Sequence, residues 1–210
     1  MAHICVVAAR KTASNNIDLD DSALVEALQQ KSPDAMAILF DRYAVHVQKV
    51  LVRVMGIDSA IPELLHDVFL RAFSQIHAIK NADKLKAWLT SIALFSAKSL
   101  IRKRVRRRAY WCDSFFEHTE PASLPVNYEI RETLRCMYQV LDRMPPDERI
   151  VFALRFIEGM ELAELATVQH ISLSTVKRRL SQAKETFAKQ STRYPSLEEW
   201  IEKSPRWNRN

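Results

Sequence analysis

A helical pattern over 85–108, which changes from apolar to cationic along its length, constrains this chain most. Its apolar residues recur near the helical period, with no Gly or Pro between them: Leu85, Trp88, Leu89, Ile92, Leu100 and Ile101. The segment carries eight Lys or Arg and no acid, whereas the whole chain has a net charge of only +6. Such local cationic character is typical of a nucleic-acid-binding surface, and the alternative is a solvated helix end favoured by the helix dipole.

The composition favours an all-α chain of two small helical domains. Among 210 residues only two are glycines, Gly56 and Gly159, so tight turns are few. No run approaches the ~20 apolar residues of a membrane span, and the N-terminal apolar stretch is too short for a signal peptide. We therefore expect a cytoplasmic protein without membrane insertion.

The motifs of common enzymes and metal sites are missing from the sequence. Cys5, Cys112 and Cys136 are odd in number and too far apart for a disulfide framework or a zinc pattern. No Gly-rich phosphate loop, His-Glu-x-x-His pair or nucleophile elbow occurs. We therefore expect no catalysis, no metal and no cofactor.

The first domain is predicted over 21–108, after a loose N-terminus over 1–20. Asp21 or Ser22 is expected to cap a short helix, and Ser32-Pro33 begins a long one that ends at Gly56. Ser59 is expected to cap the next helix, whose apolar stripe leaves a polar face exposed. That face consists of Glu63, His66, Asp67 and Arg71. This bundle is long enough to bury a core of its own.

The composition changes after Tyr110. An acidic, proline-bearing stretch without periodicity predicts a linker over 109–126, with an ordered interdomain segment as the alternative. A second domain is predicted over 127–190. There Asn127 would cap a helix that buries Ile130, Leu134, Met137 and Leu141 on one face. A tail over 191–210 follows, in which Ser196 and Glu199 fit a capping box.

Within the second domain, two short amphipathic helices joined by 169–172 predict a helix-turn-helix, although a bundle corner would have the same pattern. Val176, Leu180, Ala183 and Phe187 would face inward. The candidate DNA-binding residues are Ser172, Ser174, Thr175, Lys177, Arg178, Ser181, Gln182 and Lys184. Arg178 and Gln182 are four residues apart and suit base edges, whereas Lys177 suits a phosphate.

Two motifs, in this order and at this spacing, carry a resemblance to a known family. They are PELLHDVFLRAF with WLTSIA and the basic helix end, and LDRMPPDERIVFALRFIEGMELAELATVQHISLSTVKRRLSQAK. Over roughly 22–190 the chain resembles bacterial RNA polymerase sigma factors of the extracytoplasmic-function (ECF) type. Those proteins consist of regions 2 and 4 joined by a linker.

The resemblance implies a role for each motif. Glu63, His66, Asp67 and Arg71 would bind the polymerase, and the loop from Ile79 to Lys84 would capture an extruded base of the −10 element. The −10 strand would lie along Lys84, Lys98, Arg102, Lys103, Arg104, Arg106 and Arg107. Trp88 would pack in the core or stack on a base. The helix over 174–189 would bind the −35 element.

The chain departs from the family pattern at several of these positions. His66-Asp67 stands where Gln-Glu is usual, and Phe95 and Ser99 stand where Asn and Asp are usual. His170 replaces the glycine of the turn, and His tolerates a positive φ better than most residues. Phe95 and Ser99 therefore put the usual −10 specificity in doubt.

The partners implied are core RNA polymerase and promoter DNA, with an anti-sigma factor as a further candidate. Two other classes of function remain open on the sequence alone. One is a sigma-like DNA-binding regulator that no longer loads on polymerase. The other is a protein whose main role is to be held by an inhibitor.

Overall fold

The computed structural model describes residues 19–79, 81–110 and 128–208, and within these ranges the chain forms helices and no strand. The N-terminal half comprises α1 (Asp21–Gln29), α2 (Pro33–Met55), α3 (Ile61–Gln75) and α4 (Leu85–Tyr110), with 3₁₀ turns at Ile76–Ala78 and Ala82–Lys84. The all-α prediction is thus confirmed. Helix α4 continues two residues past the predicted boundary at 108, and most of the predicted linker lies outside the described residues.

The C-terminal half begins at α5 (Tyr128–Leu141). Helix α6 (Pro146–Phe152) continues as a π-helix over Ala153–Glu158, and then α7 (Leu162–Gln169) and α8 (Leu173–Ser191) follow. Helices α9 (Pro195–Lys203) and α10 (Pro205–Asn208) form the tail. Gly159 ends the π-helix in the left-handed region, with φ of 88°, as glycine does readily.

The helix termini were predicted with mixed success. Ser32 caps α2 as expected and Gly56 ends it with φ of 81°. The cap of α1 is Asp20, rather than Asp21 or Ser22, and its carboxylate accepts from the Ala23 N–H at 2.8 Å. Residues 19 and 20 are therefore anchored rather than loose, because Arg42 also donates to the Leu19 carbonyl at 2.6 Å.

Two other predicted caps are wrong. Helix α3 has Ala60 at its N-cap without a side-chain bond, and Asp58 rather than Ser59 accepts from the Ala60 N–H. Helix α9 begins at Pro195, with no side-chain cap, instead of at a box starting from Ser196. Asn127, the predicted cap of α5, lies outside the described residues.

Helix α5 buries only the C-terminal part of the predicted face, Met137 and Leu141. Its buried residues near the C-terminal end are Cys136, Met137, Val140 and Leu141. Ile130 and Leu134, which were expected to be buried, are 52% and 41% exposed. Ile130 and Leu134 instead line a cavity between α5 and α9, together with Trp200.

One apolar core runs through both halves of the molecule. The buried residues of α2, α3 and α4, such as Leu51, Val68 and Leu89, pack in one cluster with residues of the C-terminal half. Those C-terminal residues are Ile150, Ala153, Leu154, Met160, Leu165, Val168 and Val176. The C-terminal half also has a core of its own, around Phe152 and Phe187.

The C-terminal half caps the end of α2. Arg149, only 3% exposed, donates to the carbonyls of Val54 at 2.9 Å and Met55 at 3.1 Å and pairs with Asp142. The last carbonyls of a helix have no partner within it and carry partial negative charge, so a guanidinium suits them. Nearby, the Tyr138 hydroxyl donates to the carbonyls of Val52 and Arg53, and burial raises the pKa of Tyr138 to about 12.

The tail docks through its tryptophans, a point that the sequence left undecided. Trp200 and Trp207 pack with the rings of Phe152, Phe156 and Phe187, where the Phe152–Phe187 pair stacks at 4.3 Å between centroids. Aromatic pairs at such distances add to the energy of apolar burial. The two short tail helices are therefore held by an aromatic cluster.

We expect Trp207→Ala to lower the free energy of unfolding by about 3 kcal/mol, near the low end for large-to-small core changes because the indole is only partly buried. Urea unfolding of the full chain measures this loss. Glu202→Ala, an exposed change on α9, is the matched control and should shift the midpoint little. Equal midpoints for both variants would contradict the docking of the tail.

Candidate nucleic-acid interface

Helices α7 and α8 form the predicted helix-turn-helix. His170 ends α7 in the left-handed region, with φ of 53° and ψ of 43°, so histidine occupies the position for which glycine was expected. Ser172 caps α8, and its hydroxyl accepts from the Thr175 N–H at 3.2 Å. The turn thus keeps its geometry without glycine.

The exposed face of α8 is the predicted one. Val176, Ala183 and Phe187 are buried and Leu180 is half-buried. The opposite face exposes Ser172, Ser174, Lys177, Arg178, Ser181 and Gln182. Arg178 donates to the Gln182 side-chain oxygen at 3.3 Å, so the two groups stand side by side. Both are of the type that bonds to base edges in the major groove.

Two of the predicted contacts on α8 are engaged within the protein. Lys184 donates to the Trp207 carbonyl at 2.7 Å and lies 5.3 Å from the centre of the Trp207 ring. Thr175 is half-buried, with its hydroxyl 2.8 Å from that of Ser172. In this arrangement Lys184 holds the tail, whereas Lys177 and Arg178 are exposed on the predicted face.

The cationic end of α4 divides into exposed and paired residues. Lys103, Arg106 and Arg107 are exposed, as is Lys84 just before the helix. Arg104 instead forms a bidentate ion pair with Asp58, whose side chain is only 10% exposed. Burial alone would raise the pKa of Asp58, but the hydrogen bonds from Arg104 and from the Ala60 N–H outweigh it and hold that pKa below its usual value.

Asp147, near the start of α6, is shared by cations from both predicted DNA-binding helices. From α4, Lys98 approaches its carboxylate at 2.6 Å and Arg102 at 3.6 Å. From α8, Arg179 approaches at 2.8 Å. Burial would raise the pKa of Asp147, yet Lys98 first, and then Arg179 and Arg102, hold it below its usual value. The pairing therefore persists above pH ~4 and is lost as the pH falls through the lowered pKa.

The predicted polymerase-binding residues lie together on α3. Glu63, His66 and Arg71 are exposed and Asp67 is half-buried, all on the side away from the buried Leu64, Val68 and Ala72. The guanidinium carbon of Arg71 lies 5.5 Å from the centre of the Phe95 ring on α4. The polar face of α3 thus adjoins the face of α4 that carries Phe95.

The loop between α3 and α4 is folded into short turns. Ile79 is buried, and the Asn81 side chain accepts from the Asp83 N–H at 2.8 Å. Lys80 lies outside the described residues. Trp88, at the start of α4, is half-buried and packs against the core, in keeping with the packing role. Its edge also lines a cavity next to Phe95.

Neither a metal site nor a membrane span appears in the described parts of the chain. No group of three His, Cys, Asp or Glu side chains there is placed to hold a metal ion. Among the same residues, no helix is both long and apolar enough to cross a bilayer.

Two family models match this chain, one on each half. Residues 39–107 match sigma-70 region 2, and residues 134–187 match sigma-70 region 4. The chain belongs to the sigma-70 family, in its ECF group.

Curated relatives of this sigma factor extend over most of the chain. The ECF RNA polymerase sigma-E factor of Haemophilus influenzae is 26% identical over 176 residues, covering 80% of this chain and 93% of the relative. That of Escherichia coli K12 is 24% identical over 179 residues, with 80% and 92% covered.

Solved structures show the same fold. CnrH in complex with the cytosolic domain of CnrY matches with a TM-score of 0.56 at 20% identity, covering 84% of this chain and 99% of that one. RpoE in complex with the anti-sigma factor NepR, from Bartonella quintana, matches with a TM-score of 0.53 at 19% identity, covering 74% and 96%.

Sequence reasoning missed the acidic partners of this sigma factor's cations. Asp58 lies outside the quoted motifs and Asp147 within the second one, but neither position indicates a partner on α4, which is more than forty residues away in each case. The sequence does show acidic residues near helix starts and a basic helix, but it does not show which acid pairs with which Lys or Arg. The sequence alone therefore predicts Lys98, Arg102 and Arg104 as part of a basic surface, whereas in the structure each of them pairs with a carboxylate.

We expect Asp147→Asn to strengthen non-specific DNA binding, because it leaves Lys98, Arg102 and Arg179 without their shared carboxylate. Each further phosphate contact steepens the dependence of log K on log salt by about one unit, so a change of one to two units is expected. The measurement is a salt titration of the full chain on mixed-sequence duplex DNA. Asp34→Asn, the same charge change at an exposed site on α2, should leave the slope unchanged; equal slopes for the two variants would contradict the role of Asp147.

Proposed function

We propose that this chain acts as an ECF-type sigma factor, which binds core RNA polymerase and directs promoter recognition and DNA melting in transcription initiation. The observation that carries the proposal is the presence, in one chain, of both region matches with their two basic elements. One is the cationic end of α4, and the other is the exposed face of α8. A DNA-binding regulator needs the second element but has no need of the first.

Each helix has a distinct task in this proposal. The face of α3 with Glu63, His66, Asp67 and Arg71 binds the polymerase. Lys84, Lys103, Arg106 and Arg107 hold phosphates of the melted −10 strand. A strand whose bases are unstacked needs such cationic support, because unstacking costs a few kcal/mol.

Helix α8 binds the −35 element as duplex. Its buried positions fix which side faces the groove, and Lys177, Arg178, Ser181 and Gln182 lie on that side. Ser172 and Ser174, at the helix N-terminus, suit phosphate oxygens. The protein works by binding alone, without a catalysed reaction or cofactor, and does so in the cytoplasm where its DNA lies.

An inhibitory partner belongs to the same proposal. The related structures are complexes in which CnrH is held by the cytosolic domain of CnrY and RpoE by the anti-sigma factor NepR. By similarity, an anti-sigma factor is the expected protein partner of this chain, besides the polymerase.

The deciding experiment is transcription with purified core polymerase on fragments of the encoding genome. The wild-type chain should convert core enzyme into a promoter-specific one, with defined start sites. The double charge reversal Glu63→Lys and Asp67→Lys on α3 should lower the affinity for core polymerase by about tenfold or more. In this proposal the two acids lie against cations of the polymerase, and the lysines would repel those cations. A chain that binds DNA but yields no start sites with core would instead be a regulator that no longer loads on polymerase.

We expect two neighbouring residues on α8 to have separable effects on −35 recognition. Arg178→Ala should relax the base preference at one or two positions, since a good bidentate contact gives about 1–3 kcal/mol of discrimination. Lys177→Ala should weaken binding to all sequences alike and lower the salt slope by about one unit.

The measurement is a randomised-site selection with the full chain loaded on core polymerase, because the C-terminal half shares its core with the N-terminal half. Each variant serves as the control for the other, since both remove one exposed cation from α8. An unchanged consensus for Arg178→Ala together with a changed one for Lys177→Ala would mean that the helix faces the groove differently.

A further inference from the structure

The ring of Phe95, on the cationic helix α4, points to solvent instead of packing in the core. Phe95 is 62% exposed, the largest exposed fraction among the large apolar side chains of the described residues. Its neighbours Ala93, Leu94, Ser96 and Ala97 are all buried, so α4 turns this one ring away from the core. A single exposed apolar side chain is common on protein surfaces, so what singles out Phe95 is its surroundings on α4.

Phe95 begins a surface stripe that continues into the cationic end of α4. At spacings of three or four residues, Ser99, Lys103 and Arg106 follow it on the same side of the helix, and all are exposed. A single strand whose phosphates lie on the cations would therefore bring a neighbouring base to the ring. Proteins that bind single strands combine a positive groove with aromatic rings in this way.

The ring also forms one wall of a cavity. The cavity has a volume of about 280 Å³ and is lined by Arg71, Gln75, Trp88, Ser91, Ile92, Phe95 and His170. An apolar cavity of about 150 Å³ is enough to hold benzene, so this space admits an aromatic base. Arg71 and Gln75 supply donors within this lining. The Arg71 guanidinium carbon lies 5.5 Å from the centre of the Phe95 ring, so a base would stack on the exposed part of the ring that Arg71 leaves uncovered.

We propose that Phe95 and the adjoining cavity form a stacking subsite for one unpaired nucleobase of single-stranded DNA. The inference rests on the proposed function, and it assigns a role to a residue that stands where Asn is usual in this family. A phenyl ring has no donor or acceptor, whereas Asn reads base edges. The subsite therefore accepts bases by their π faces and tolerates different identities at that position of the −10 strand.

The cavity also borders the helix-turn-helix. His170, in the turn before α8, lines it from the C-terminal half, so a base that fills the cavity contacts both halves of the chain.

The test uses the full chain loaded on core polymerase, with core polymerase alone as the blank. One probe is fluorescein-labelled dT12, and the other is an abasic 12-mer with the same phosphates but no bases. Phe95→Ala should weaken the sigma-dependent binding of dT12 by about five- to 150-fold, the usual range for one stacked base. Binding of the abasic strand should not change, and Phe95→Trp should restore binding of dT12.

Leu70→Ala is the matched control, because Leu70 is 52% exposed on α3 and lies outside the cavity. It should bind dT12 as the wild type does. Equal dT12 binding by Phe95→Ala and wild type would overturn the stacking subsite while leaving sigma function intact. Loss of binding to both probes in Phe95→Ala would also overturn it, since the effect would not depend on a base. A wild-type chain that fails to co-elute with core polymerase would overturn the proposed function itself, and the subsite with it.

Discussion

The buried guanidinium of Arg149 is the contact on which the arrangement of the two halves depends. It reaches from α6 to the last carbonyls of α2 and is neutralised by Asp142 beside it. A charge this deeply buried is tolerated only with its full set of partners, and removing one partner of a buried pair typically costs about 3–5 kcal/mol. The two halves therefore cannot slide gradually over each other: either Arg149 keeps all of its acceptors, or the interface opens and water replaces them.

The closed interface has a direct electrostatic consequence for DNA binding. Asp147, in the C-terminal half, takes up Lys98 and Arg102 from α4 across the interface, and Arg179 from α8. A carboxylate and a DNA phosphate are alternative acceptors for the same Lys or Arg, so the closed arrangement and full DNA contact exclude each other at these residues. Lys103, Arg106, Lys177 and Arg178 are exposed in the closed arrangement. Initial, non-specific attraction to DNA can thus precede any separation of the halves.

Local features were predictable from the sequence, and long-range pairing was not. The Ser32 cap, the end of α2 at Gly56 and the buried face of α8 follow from residue preferences within a few positions. Ile130 and Leu134 share the spacing of Met137 and Leu141, and only the position of the core shows that the first two are exposed. Likewise, an Arg in a basic run has the same local sequence whether it binds phosphate or Asp58. The sequence therefore identified candidate residues by their type, while the carboxylates that pair with them became known only from the fold.

A closed state with paired cations also sets how tightly the chain binds its targets. If only a fraction of the molecules is open, the apparent affinity for a ligand that needs the open form falls by that fraction. The binding of polymerase or promoter DNA must then supply the free energy of opening. Each partner that binds the open form makes the next partner bind more tightly, so loading on polymerase and promoter recognition are coupled. Arg149 and Asp147 favour the closed form, since Arg149 needs the carbonyls at the end of α2 and Asp147 pairs with Lys98 on α4. The free energy of these interface contacts, together with that of the DNA contacts, would then set the apparent affinity of the chain for any partner that needs the open form.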